Sequence, residues 1–91
     1  MRLNPTLFKI LKIAIENLSR SKGIDVSGLW YKADGSIGIT SLHLWMLVIA
    51  EAVNLLDFAQ WIVMEYEEFQ ILLRRTEFTM DDTYWVLVDK E

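Results

Sequence analysis

LHLWMLVIAEAVNLLDFAQWIVMEYEEFQILL, residues Leu42 to Leu73, runs for 32 residues without glycine or proline, and its reading decides the fold. Taken as one helix, its polar members Glu51, Asn54, Asp57 and Gln60 stand three apart and precess around the axis, which no helix with a single wet side does. Splitting the stretch near Leu56-Asp57 restores order. His43, Ala50, Glu51 and Asn54 then form a narrow wet edge on the first piece, while Gln60, Glu67, Glu68, Arg74 and Arg75 face water on the second. The pattern predicts two helices joined by a tight turn, with Asp57 capping the second. Glu65 falls by helical angle beside Ile62, Phe69 and Leu72, where a buried carboxylate needs a hydrogen-bonding partner.

Upstream, Asn4-Pro5 is a helix start, because the asparagine side chain can accept from first-turn amides and proline loses no hydrogen bond at the first helical position. Leu7, Phe8, Leu11, Ala14, Ile15 and Leu18 follow at helical spacing, with Lys9, Lys12, Glu16 and Arg20 opposite and Gly23 as the stop, so a helix is predicted over 5–21. Leu29–Lys32 and Ile37–Thr40 flank Ala33-Asp34-Gly35-Ser36, and the Asp-Gly pair predicts a β-hairpin. A two-residue loop at Asp34-Gly35 would set Trp30 opposite Ile39 and Lys32 opposite Ile37. Trp30, Ile37 and Ile39 would then face the core, and Gly38 would leave room for Tyr31. Thr40 or Ser41 caps the helix that follows. Near the end, Thr79-Met80-Asp81-Asp82 could cap another helix, but Tyr84-Trp85-Val86-Leu87-Val88 is an aromatic and β-branched run of strand length and fits the edge of the hairpin.

These elements make an α+β fold in one domain, residues 1–91: N-terminal helix, β-hairpin, two antiparallel helices and a C-terminal strand completing a small antiparallel sheet. The alternative is a mainly helical bundle carrying a β-hairpin. The Leu42–Met64 stretch approaches membrane-spanning length, yet each ionised group near a bilayer centre costs roughly 2.5–3.5 kcal/mol, and Glu51 and Asp57 lie within it. No transmembrane segment is expected. The first twenty residues interleave Lys9, Lys12 and Glu16 with apolar positions and do not read as a secretory signal. The chain has no cysteine, so disulfides, thiolate zinc sites and cysteine nucleophiles are excluded and the expected compartment is the cytoplasm.

Net charge is −4, distributed as +4 over residues 1–22 and −8 over residues 23–91. The acidic balance argues against nucleic acid, since phosphate backbones are repelled at long range. Four glycines never approach a phosphate-binding spacing, and the lone His43 has no nucleophile beside it. The carboxylates Glu65, Glu67, Glu68, Asp81 and Asp82 read as a solvated acidic face. No catalytic residue, metal site or cofactor is expected.

What remains is binding. The composition is 53% hydrophobic with four tryptophans, more than a domain that buries about 60–65% of its unfolded surface can readily hide. The surplus predicts a homodimer or a protein partner. Trp45, Trp61, Trp85, Tyr66 and Tyr84 are of the type enriched in binding hot spots. Gln60, Trp61, Glu67 and Glu68 are the candidate partner-binding residues, a large aromatic beside negative charge on one helix. This profile resembles in a general way the small acidic accessory proteins of phages and mobile elements that act by occluding a host protein. The alternative is a binder of anionic membrane or nucleic acid working through the basic first helix.

Overall fold

Asn4 Oδ1 accepts from the amides of Thr6 (2.9 Å) and Leu7 (3.2 Å) and starts helix α1, Pro5–Lys22, which Gly23 ends. The protein is described by a computed structural model covering residues 2–59 and 61–90. Strands β1 (Leu29–Tyr31) and β2 (Ile37–Ile39) follow, then helices α2 (Leu42–Phe58) and α3 (Tyr66–Arg74), and strands β3 (Thr76–Asp81) and β4 (Tyr84–Asp89). Among the described residues the fold is α+β, with three helices and a four-stranded antiparallel sheet in the order β1-β2-β4-β3. No helix among them is long and apolar enough to cross a membrane.

One face of the sheet carries the core. Leu7, Ile10, Leu11, Ala14, Ile15 and Leu18 of α1 pack with Ile37, Ile39, Trp45, Val48, Phe69 and Leu87 in one buried cluster. Trp45 pins α2 to the sheet, its indole nitrogen donating to the carbonyl of Trp85 at 2.7 Å and its ring meeting Phe78 edge-on at 5.5 Å. Ser41 caps α2 through its hydroxyl.

The β1–β2 hairpin is real, but its register is one residue off the expected one. Tyr31 pairs with Ile37, Trp30 with Gly38 and Leu29 with Ile39. The loop has three residues, not two: the Lys32 amide donates to Ser36 (2.9 Å), the Gly35 amide donates back to Lys32 (3.1 Å), and Gly35 takes φ +87°. A residue of left-handed backbone after a turn is the bulge that three-residue hairpin loops use. A one-residue shift turns every β1 side chain over. Tyr31 therefore joins the core side, edge-on to Phe8 at 6.0 Å, and Trp30 goes to the opposite face. Gly38 makes room for Tyr84, not Tyr31: a Cβ there would stand 3.1 Å from that of Tyr84.

The face away from the helices has its own small apolar cluster. Trp30 and Tyr84 meet with tilted rings, centroids 5.3 Å apart, and the Lys32 ammonium lies over the Trp30 ring and pairs with Asp81. Since β1 and β3 are the two edges of the sheet, this ion pair reaches across the whole outer face, which the twist of the sheet folds toward itself along one diagonal. Val86 beneath is 1% exposed.

β4 pairs with β2 as the sequence predicts, Ile37 opposite Leu87 and Ile39 opposite Trp85. Strand β3 was not foreseen. It forms a second hairpin with β4 through Asp82-Thr83, Asp82 taking φ +57°. Glu51 is also corrected: it is not on a wet edge but 3% exposed, accepting from Lys22 Nζ at 2.6 Å and from the Asn17 amide, which Ser21 orients. This network braces the last turns of α1 against α2.

Candidate interaction surface

No tight turn occurs at Leu56-Asp57. Helix α2 runs to Phe58, and Asp57 sits exposed in its last turn, not at the start of the next helix. Ala59 leaves the helix with extended backbone (φ −91°, ψ 106°), and the N-cap position of α3 is Glu65, exposed and without a side-chain cap bond. Glu65 thus points to water, not toward Phe69. Glu67 and Glu68 in the first turn and Arg74 in the last suit the helix dipole, which offsets the missing cap.

Between the helices the Ile62 amide donates back to the Ala59 carbonyl at 3.3 Å, and the chain then runs without regular structure to Glu65. Met64 is buried and Ile62 half-buried against the core, while Trp61, Val63 and Glu65 are exposed. Trp61 is 62% exposed and Val63 97%, with Phe58 (76%) and Tyr66 (46%) at the flanks. Beside Trp61 and Val63, the strip Pro5, Lys9, Ile10 and Ile13 of α1 forms the other wall of a groove of about 370 Å³.

Of the residues expected to bind a partner, Trp61, Glu67 and Glu68 are exposed, and Gln60 lies outside the described residues. Trp61 stands on the connector instead of the helix bearing the two glutamates, and its neighbours in the groove are on α1. Trp45 is buried and Trp85 and Tyr84 are half-buried, which leaves Trp61 and Tyr66 from the set of hot-spot aromatics at the surface. Phe58 and Val63 were missed. The signal available was the β-branched pair Ile62-Val63 in a segment otherwise read as helix.

The charged surroundings are divided. Lys9 lies in the groove wall, while Lys12 is over the Tyr31 ring at 5.5 Å and Lys22 is tied to Glu51. Burial and the neighbouring Glu16 charge push the Tyr31 phenol up. His43 is exposed in the first turn of α2, and among the described residues no three His, Asp or Glu side chains gather as a metal-ligand set. Comparison with protein-family models, with curated proteins and with solved structures finds no match for the chain.

Proposed function

We propose that the chain is a protein-interaction module that acts by occluding a partner protein, met through Phe58–Tyr66 and the groove beside it. One observation carries this reading: four large apolar side chains within nine residues stand in solvent, Val63 almost completely. Contiguous exposed apolar surface with a charged rim marks interaction sites, and tryptophan and tyrosine are the side chains most often found at their energetic centres. Glu65, Glu67 and Glu68 form the rim on one side, so the partner surface they meet is basic. Those same carboxylates repel phosphate, which counts against an anionic membrane or nucleic acid as the target.

The test is capture from extract of the native host on immobilised protein, followed by direct binding of the purified partner. Val63→Asp is expected to abolish binding while leaving the circular dichroism spectrum unchanged. Retained binding by Val63→Asp, with loss in Lys9→Glu/Lys12→Glu and transfer to anionic vesicles or DNA, would replace this reading with the basic-helix one.

A further inference from the structure

Strand β3 forms one edge of the sheet, and nothing among the described residues pairs with its outer side. It is long for an edge, six residues paired to β4 without a bulge, and it contains no proline; its charges, Glu77 and Asp81, stand on the face away from the helices and decide which partner register is allowed. Its amides can be assigned. The Lys90 amide donates to the Arg75 carbonyl at 2.7 Å, and antiparallel ladders alternate, so Glu77, Thr79 and Asp81 turn their backbone groups toward β4. Thr76, Phe78 and Met80 therefore direct amide and carbonyl groups outward. On the helix side of the same strand, Phe78 and Met80 are 38% and 54% exposed.

We propose that this edge pairs antiparallel with the same strand of a second copy, with a two-fold axis at Phe78, to give a continuous eight-stranded sheet. Only registers that bring outward groups together can form a ladder, and charge separates them. Centring on Phe78 sets Glu77 of one copy opposite Thr79 of the other and Met80 opposite Thr76. Centring on Glu77 sets it against itself. Centring on Thr79 sets Glu77 against Asp81. Like charges directly opposite are destabilising, which leaves centring on Phe78 or on Met80; the Phe78 register pairs residues 76–80 of each copy where the Met80 register pairs only 79–81, so it is the self-complementary one, and it covers the exposed parts of both Phe78 rings. This edge shares no residue with the Phe58–Tyr66 patch.

Sedimentation equilibrium of the whole chain should show a dimer. Residue-resolved hydrogen exchange should show amides 76, 78 and 80 gaining protection with concentration, while those of 77, 79 and 81 are protected throughout. Thr79→Glu places two glutamate pairs across the axis and should weaken association about tenfold. The double variant E77K/T79E turns both into Glu–Lys pairs and should restore it. Met80→Pro removes an outward amide without touching the β4 ladder and should also yield monomer. A monomer at every concentration, a dimer indifferent to Thr79→Glu and Met80→Pro, or loss in Thr79→Glu without rescue would each overturn the proposal, with circular dichroism confirming that every variant is folded.

Discussion

Gly35 and the two residues around it show how little chemistry sets the path of the first hairpin. With φ at +87° the position suits glycine, and it is the backbone that decides this, since a Cβ would stand in ordinary contact with the Arg2 side chain at 3.4 Å. Gly35→Val should lower stability by about 2 kcal/mol, the scale of strain for a β-branched residue in left-handed backbone, read as a shift of the urea midpoint. Next to it, Asp34 Oδ1 accepts from the Ser36 hydroxyl (2.7 Å) and amide (3.1 Å). The Ser36 hydroxyl leads, with its amide and the Lys32 charge, in holding the Asp34 carboxyl below the usual range, against a smaller effect of burial. A carboxyl whose pKa is depressed on folding contributes stability above its unfolded pKa and loses it as pH falls through the folded one. Ser36→Ala should therefore cost about 1 kcal/mol at neutral pH, and its gap to the natural chain should narrow below about pH 4. At the other extreme Lys32 is held above its ordinary value, mainly by its bond to Asp81, so that contribution is present at neutral pH and fades on the alkaline side as the ammonium deprotonates.

Between α1 and α2 the brace through Glu51 is asymmetric. Glu51 is buried while Lys22 is half exposed, so losing the lysine leaves the buried carboxylate charge with only the neutral Asn17 side-chain amide, and losing the carboxylate frees a lysine into water. Lys22→Ala should destabilise by about 2 kcal/mol in denaturant titration, and Glu51→Met should be close to neutral, because apolar replacement of a buried ion pair often costs nothing. The same residue explains a limit of sequence reading. Helical angle puts Glu51 beside His43 and Asn54, which are exposed, and only the approach of Lys22 and Asn17 from another helix makes burial affordable. Helix α1 was legible to within a residue because its cap, stripe and stop are all local. The eight-residue shift between the expected cap at Asp57 and the N-cap position at Glu65 has a different origin: Ile62 and Met64 reach the core from an irregular connector, a tertiary contact that helical spacing does not encode. Strand β3 hid for a similar reason, since Thr76–Asp81 alternates in sequence but is defined by pairing with β4. The hairpin register was decided by a three-residue loop and by which aromatic, Tyr31 or Trp30, meets Phe8.

For the whole molecule, charge and apolar surface are divided between elements. α1 supplies Lys9 and the apolar wall of the groove, the connector supplies Trp61 and Val63, and α3 begins with Glu67 and Glu68 in its first turn. Trp61, Glu67 and Glu68 are exposed as expected from the sequence, whereas the exposure of Phe58 and Val63 and the α1 wall of the groove follow from the break in the helix, at which only the β-branched pair Ile62-Val63 hints. If a partner docks here, the two kinds of group should separate kinetically. Glutamates on a rim act on diffusional encounter and are screened by salt, and an aromatic that loses its water on binding acts on how long the complex lasts. Reversing Glu67 and Glu68 to lysine should slow association several-fold at low ionic strength, with the difference shrinking as salt is added, and should leave dissociation nearly unchanged. Trp61→Ala should leave association alone and speed dissociation by about thirtyfold, the equivalent of roughly 2 kcal/mol for a buried tryptophan anchor. Surface-binding kinetics against the purified partner at two salt concentrations measures both. If Trp61→Ala dissociates like the natural chain, the centre of the interface lies elsewhere on the molecule; if the charge reversal changes dissociation instead, Glu67 and Glu68 are buried in the complex and pair directly with basic side chains of the partner.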